Sequence, residues 1–500
     1  MNGPVPVSDW EAQANTLRID PLPWINGRRA SAGVDGLFKS VNPATGGTVA
    51  EVPSCGAADI DSAVRAARMA FNRGVWAEQS PRQRARKLHD FADAIGRRAK
   101  QLALLDSLEM GMPISTAVTY VQHAVDDVHA TAEAIDKLLD TVIPNDPSSL
   151  VLNIREPHGV VGAITPWNFP AVISISKVVP AIGVGNSIVL KPSEIASLSS
   201  LCLGEAAAEA GIPDGVVNIV PGLGAAAGSA LALHMDVDFL TFTGSTGTGR
   251  RLLELAGRSN MKRLALECGG KSPQIVFADV ENFDELAEAV VRSITFNTGQ
   301  ICVAGSRLLV HSSIHDEVVD RVVAKASAIR PGNPLDVATT FGPLASLEQF
   351  NRVRNYFESG QADGAAVKLD GSRASAAAGC YWLPTVFAGV GTEMRIAREE
   401  IFGPVLSTMK FETDEEAVAI ANATIYGLVA TVWTRDMSRA LRLARKIRGG
   451  RVEVVSRPGS GKVDATAGAF EPSGQSGFGA EGGLEGLRTF THLKTLLLKS

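Results

Sequence analysis

An α/β fold built on two parallel sheets is what this sequence predicts, and three observations predict it. Short β-rich apolar runs alternate with helical segments from residue 150 to 280, and a second alternating series runs from 283 to about 455. In the first series, four strand ends finish in polar or glycine-rich turns, and open α/β sheets collect their ligands at the carboxyl ends of strands. The length, 500 residues, suffices for about three domains or two large ones, each with its own core.

Taken in order, residues 1–54 read as loop and strand material ending in NPATGGTVAEVPS, and a helical block follows from about 57 to 140. One start within that block is marked by Ser80-Pro81-Arg82-Gln83, which combines an N-cap serine, a proline at the first helical position and a glutamine able to close a capping box. The runs VVGAIT, SIVLK, VVNIV, FLTFT and PQIVF then predict the strands of a parallel, doubly wound sheet, with LSSLCLGEAAAEAG and AAAGSALALH between them. Residues 170–190, PAVISISKVVPAIGVGNSIVL, are the best candidate for a membrane span. Lys177, Pro180, Asn186 and two glycines break the run, so it predicts a buried helix followed by a buried strand. The second series shows most clearly in FDELAEAVVRSITFN, SRLLVHSS, IHDEVVDRVVAKASAI, GPVLSTMKF and DMSRALRLARKIR. Residues 456–483 are dense in Gly, Ser and Pro and too long for an ordinary connection, which marks a candidate functional loop. SSLVLNIREPHG (148–159) and TFTHLKTLLLKS (489–500) read as extended arms whose edges call for cover by another subunit.

Composition excludes several classes of function. Net charge is −5 and no Lys/Arg block dominates any segment, so nucleic acid and anionic membrane are not expected partners. The start, MNGPVPVSDWEAQ, lacks the basic and apolar regions of a secretory signal. Cys55, Cys202, Cys268, Cys302 and Cys380 are odd in number and without paired spacing, against a disulfide framework and against a zinc or other metal site. Reduced thiols in a cytoplasmic protein are the expectation.

The four turns carry the chemistry. ITPWNFP holds Asn168 in a proline-bounded turn, LKPSE sets Lys191 and Glu194 just beyond a strand, and VPGLGAAAG and FTGSTGTG follow the next two strands. Gly222, Gly224 and Gly228 miss the G-x-G-x-x-G spacing, as do Gly244, Gly247 and Gly249, so these glycines alone leave open a dinucleotide site or merely close helix packing. Lys191 and Glu194 add more. A carboxylate accepts hydrogen bonds from both ribose hydroxyls and repels a 2′-phosphate, while an ammonium reaches ribose oxygens, which favours NAD over NADP.

Cys302, in FNTGQICVAGSR, follows a helix predicted over 283–298 and ended by Gly299. It lies in a turn whose backbone N–H groups suit an oxyanion or a thiolate. Unpaired cysteines are otherwise buried and inert, a reading that fits Cys202 in its apolar helix. Glu267 closes the apolar run Leu264–Leu266 in LALECGGKSP, and burial there should raise its pKa toward that of a useful base. Cys268 beside it points to the opposite face of the strand.

ITPWNFP, LKPSE, FTGSTGTG, LECGGKSP, FNTGQICVAGSR and EEIFGPV (399–405), in this order and at these separations, resemble the NAD(P)-dependent aldehyde dehydrogenase superfamily from about residue 20 to 498. The resemblance implies a Rossmann-like NAD-binding domain (1–140 with 160–267), a second α/β catalytic domain (268–470) and a β oligomerisation arm (141–159 with 484–500), assembled as a homodimer or homotetramer. It implies oxidation of an aldehyde to a carboxylic acid through a thioester hydrolysed by water. Cys302 would be the nucleophile, Glu267 the general base, and Asn168 the side-chain oxyanion donor beside the backbone N–H of Cys302. Lys191 and Glu194 would hold the adenosine ribose, Gly244 and Ser245 the pyrophosphate region, and Glu400 the nicotinamide ribose, with Phe402 near the nicotinamide ring. Trp167, Gly224 and Gln349 are further cofactor candidates.

Phe169, Ile173, Ser176, Ile301 and Val303 are implied as the walls of a substrate tunnel. Ser176 stands where many relatives carry a bulky aromatic, which points to a hydrophobic or aromatic aldehyde, and no fixed charge is expected to meet a charged tail. A glutamate in the position of Glu267 marks the hydrolytic branch of the superfamily. The competing readings are a coenzyme A-acylating enzyme and a catalytically silent NAD-binding or structural member, the latter opposed by the presence of Asn168, Glu267 and Cys302 together. The chain also departs from the pattern. Cys268 replaces a usual leucine, Glu453 and Val455 replace the usual W-x-N, and the expected PFGGxKxSG reads AFEPSGQSG, after a loop a few residues longer than usual.

Overall fold

The computed structural model describes residues 7–31, 36–372, 379–457 and 468–499. Five parallel strands form the heart of the first sheet, in the spatial order Val217–Ile219, Ser187–Lys191, Val160–Ile164, Phe239–Thr243 and Arg263–Glu267. Trp24–Ile25 and Gly477–Phe478 close its two sides as antiparallel neighbours. The strand order reverses between Val160–Ile164 and Phe239–Thr243, which makes the gap beyond their carboxyl ends the topological switch point. Every residue of Val160–Ile164 and of Ser187–Lys191 is buried, because helices cover both faces and leave no polar side to alternate with. One face carries a cluster from helices Ala57–Asn72, Ser229–Leu233 and Thr246–Gly257, including Ile60, Val64, Leu231 and Leu252. The other carries Pro81–Arg97, Ile114–Ala134, Pro170–Gly183 and Leu198–Glu209. The capping box is present: Gln83 N–H donates to the Ser80 hydroxyl, and Ser80 N–H donates to Gln83 Oε1 at 2.9 Å.

The second sheet runs Thr385–Ala388, Val405–Phe411, Arg307–His311, Pro273–Val276, Val429–Trp433 and Arg451–Val455, all parallel, with Ala366–Leu369 antiparallel at one edge. Three expectations need correction, the first being residues 1–54, read as loop and strand, which contain the helix Val7–Thr16. PQIVF forms a strand, but in this second sheet: the chain crosses from one sheet to the other through residues 268–272, and apolar composition marks a strand without saying which sheet takes it. The helix before Cys302 spans Phe283–Thr295, and the chain then turns left-handed through Asn297 (φ 48°), Thr298 (φ 56°) and Gly299 (φ 73°).

The two arms pair with each other. Thr491–Lys499 runs antiparallel to Ser149–Pro157 over nine residue pairs, and Thr141–Ile143 adds a third strand on the far side. The outer edge of Thr491–Lys499 carries exposed Leu493, Leu497 and Leu498. Of the candidate loop, residues 458–467 lie outside the described residues. The rest is stitched into the fold, with Ser473–Gly474 on Tyr426–Gly427 and Gly477–Phe478 on Leu266–Glu267. Among the described residues no helix is long and apolar enough to cross a membrane, and Pro170–Gly183 and Ser187–Lys191 form the expected helix and strand.

Candidate active site

At the carboxyl ends of the first sheet, Lys191 Nζ lies 2.8 Å from Glu194 Oε2, and Gly224 N–H donates to Glu194 Oε1 at 3.2 Å. Burial alone would raise the Glu194 carboxyl, but the Lys191 ammonium outweighs it and holds the group below its ordinary value, so it stays an acceptor. Gly244 ends the next strand, and its N–H donates to the Glu267 carbonyl at 2.9 Å. Ser245 caps helix Thr246–Gly257 by accepting the Thr248 N–H at 3.2 Å. An acidic–basic pair, a helix N-terminus and glycines at a switch point together fit a dinucleotide: hydroxyl acceptors at one end and N–H donors for phosphates beside them.

Facing them are loops at the amino ends of the second sheet. Gly270 N–H donates to Glu400 Oε1 at 2.9 Å, and burial raises the Glu400 carboxyl to about 7. Phe402 has a left-handed backbone (φ 62°), and its ring meets Trp167 edge-on at 5.4 Å. Gln349 is buried and donates to the carbonyls of Phe402 (2.6 Å) and Ile401 (3.3 Å), so its amide straps the Glu400 loop.

The Cys302 loop is locked by its neighbours. A β-branched residue in the left-handed region is strained, and Thr298 is held there by a hydroxyl donated to the Gly342 carbonyl at 3.0 Å. Gly299 is required: a Cβ there would lie 2.4 Å from the backbone of Gly403. Asn168 Nδ2 donates to the Gln300 carbonyl at 3.0 Å while Asn297 Nδ2 donates to the Asn168 carbonyl at 2.9 Å, which binds the Asn168 turn to the Cys302 loop. An amide has two hydrogens, so one of Asn168's remains for another acceptor. The crossover packs equally closely, since a Cβ on Gly270 would lie 2.5 Å from the Cys302 carbonyl.

The Cys302 thiol is pushed up to about 12 by burial and by the Glu400 and Glu267 carboxylates, with the N–H groups of Cys302 and Val303 pulling the other way. The expected donors are present, but burial first, and the two carboxylates after it, outweigh them and keep the resting sulfur a thiol. Glu267 is 7% exposed, and its Oε1 has no hydrogen-bond partner. Its carboxyl is raised by burial, partly offset by the Lys177 ammonium, as the apolar run predicts. Lys177 is fully buried, ion-paired with Glu481, and within electrostatic reach of Glu267, Cys268 and Cys302. Cys268 instead packs toward helix Thr246–Gly257: a Cβ on Gly249 would lie 2.8 Å from its sulfur.

On the substrate side, Phe169 clusters with Tyr120 and Phe296, and Ile173 and Ile301 are partly buried against the same core. Val303 is half-buried. Ser176 lines a separate cleft of about 590 Å³ together with Val128, Ile175, Val179, Phe470 and Leu487, and neither Cys302 nor Glu267 borders it. Three charged residues, Asp127, Arg451 and Glu481, also line this cleft. They come from three distant segments, which no local motif unites. Sequence reasoning also passed over Lys177, noted only as an interruption. A lone cation in an otherwise buried apolar helix is itself the signal, since it demands a carboxylate partner.

The family model for the aldehyde dehydrogenase family matches residues 30–496. The chain is 42% identical to the NADP/NAD-dependent aldehyde dehydrogenase PuuC of Escherichia coli K12, over 97% of each chain. Among solved structures, the aldehyde dehydrogenase KauB of Pseudomonas aeruginosa is 45% identical with a TM-score of 0.96, covering 99% of this chain and 100% of that one. The indole-3-acetaldehyde dehydrogenase AldA of P. syringae, solved with NAD+ and IAA, is 43% identical with a TM-score of 0.96 and the same coverage.

Proposed function

Because the chain belongs to the aldehyde dehydrogenase family, we propose that it oxidises an aldehyde to the carboxylic acid with NAD, using Cys302 as nucleophile and Glu267 as base. One observation carries the assignment: a buried, unpartnered carboxyl oxygen on Glu267, in electrostatic reach of a sulfur whose loop is bound to the Asn168 turn. Lys191, Glu194 and Gly224 would hold the adenosine ribose, Gly244 and Ser245 the pyrophosphate, and Glu400 the nicotinamide ribose, with Trp167 and Phe402 framing the ring and Gln349 holding their loop. NAD, when bound, supplies the hydride acceptor.

The chain's own residues do the rest. Cys302 starts as a thiol, so its proton passes to solvent as the sulfur adds to the aldehyde carbon, which leaves Glu267 free for the later step. The oxyanion that forms is held by the second Asn168 hydrogen and a backbone N–H of the loop. Once the thioester exists, Glu267 takes a proton from water and the acid leaves. Intact-mass analysis after mixing enzyme, oxidised cofactor and aldehyde tests this: the acyl group should sit on Cys302, and an adduct elsewhere defeats it. Release into water without coenzyme A distinguishes hydrolysis from acyl transfer.

The substrate in this reading is hydrophobic or aromatic. Phe169, Ile173 and Ile301 pack as apolar neighbours of the Asn168 turn and the Cys302 loop, and the P. syringae relative is named for an indole aldehyde. The edge of Thr491–Lys499 suits pairing with a second copy, giving a homodimer or homotetramer. A cytoplasmic location belongs to the same reading, supported by an odd number of cysteines without paired spacing.

A further inference from the structure

We propose that Glu471, which with Pro472 takes the place of the glycine pair in the resembled PFGGxKxSG motif, is a positioning residue that sets the pH range in which Glu267 drives thioester hydrolysis. The proposal rests on Glu267 being the base.

The placement comes from a hairpin. Phe470 and Glu481 exchange both backbone hydrogen bonds, at 3.0 and 2.9 Å, and between them the chain turns so that Gly477 pairs with Glu267 and Phe478 with Leu266. Within it, Gly479 N–H donates to Glu471 Oε1 at 3.1 Å. Gly479 lies against Ala265, where a Cβ would come within 2.7 Å of the Ala265 Cβ. Ala265 and Glu267 are two residues apart on one strand, so their side chains share a face. The Glu471 carboxylate is thus fastened to the backbone that flanks the face carrying Glu267. Its main chain is fixed too, since a Cβ on Gly450 would lie 2.2 Å from the Glu471 carbonyl.

The charges around Glu267 then divide by sign. From helix Pro170–Gly183 comes Lys177, which favours the ionised carboxyl; from the hairpin come Glu471, which opposes it, and Glu481, which is engaged with Lys177 in an ion pair. The remaining titratable neighbours are the Cys302 and Cys268 thiols, and Glu400 bears on Cys302 from the far side. Glu471 is exposed and has no ion-pair partner among the described residues, so solvent and the Gly479 N–H moderate the charge it sets against Glu267, and its effect is smaller than those of burial and Lys177. A like charge disfavours ionisation, and a general base works only when ionised. With glycine in place of Glu471, hydrolysis should persist to lower pH.

Glu471→Gln removes the charge and keeps an oxygen for the Gly479 N–H. The measurement is single-turnover hydrolysis of an acyl group placed on Cys302 by a p-nitrophenyl ester, followed by intact mass across pH 5–9, with thermal unfolding as the check on folding. The acid limb of the rate profile should move down by about 0.5–1 pH unit in Glu471→Gln, while Glu471→Asp keeps the native limb. Coincident limbs in the native enzyme and a folded Glu471→Gln overturn the proposal. Loss of hydrolysis in Glu267→Gln upholds the base on which it rests, and normal hydrolysis in that variant removes the base reading itself.

Discussion

The two sheets meet the crevice with opposite ends. The first offers the carboxyl ends of its strands, where Lys191, Glu194, Gly224, Gly244 and Ser245 stand just before helices. The second offers amino ends: Cys302 precedes Arg307–His311, the residue 268–272 crossover precedes Pro273–Val276, and Glu400 and Phe402 precede Val405–Phe411. The difference is electrostatic. A strand's carboxyl end leads into a helix N-terminus with free N–H groups, which suits phosphate. The amino ends of the second sheet receive chain by different routes: the residue 268–272 crossover comes straight from Arg263–Glu267, and the Cys302 loop follows helix Phe283–Thr295. There the Cys302 thiol is raised first by burial and then by the Glu400 and Glu267 carboxylates. In the proposed reading, the phosphate-binding turns and the nucleophile thus come from opposite ends of parallel sheets.

That division can be broken experimentally. Replacing Glu267 by Gln should lower steady-state turnover by about 10²–10⁴ while acyl-enzyme accumulates in quenched samples. Asn168→Ala should slow the first burst of NADH by about 10²–10³, the usual cost of one oxyanion donor, and a native burst rate would detach the Asn168 turn from the chemistry. In the cofactor-free enzyme, alkylation of Cys302 by iodoacetamide, read by peptide mass, should rise about 100-fold from pH 7 to pH 9 without a plateau, because the thiolate fraction grows tenfold per unit below the thiol's pKa. A plateau below pH 8 would put the sulfur in an anion-stabilising site and erase the contrast between the sheets. The smallest effect sharpens it: Lys191→Ala should weaken NAD binding about tenfold by calorimetry, with hydrolysis of acylated Cys302 unchanged.

Much of the first sheet was legible because both of its faces are covered. SIVLK and FLTFT are strands end to end, since a strand buried on both sides is written as an unbroken apolar run. Glu267 stood out as a carboxylate closing such a run, Asn168 for its proline-bounded turn, and Cys302 for its turn beyond a glycine-ended helix. What the sequence hid depends on pairing across distance. PQIVF carries no mark of the sheet it joins, and Lys177 meets Glu481 across 304 residues. Asp127, Arg451 and Glu481 converge on the Ser176 cleft only once three segments have folded together. The left-handed turn at Asn297 and Thr298 is imposed by contacts to Asn168 and Gly342, against the preference of a threonine.

The short pairing of Gly477–Phe478 with Leu266–Glu267 has a temporal consequence. Ser476, beside it, donates its hydroxyl to the Gly269 carbonyl 207 residues away, so the segment holding the base acquires its last edge only after nearly all of the polypeptide has left the ribosome. A nascent chain stalled before that point would display its sulfur and its dinucleotide turns yet lack a finished water-activating centre. Competence for the proposed hydrolysis would therefore depend on a contact between residues 207 positions apart in the chain.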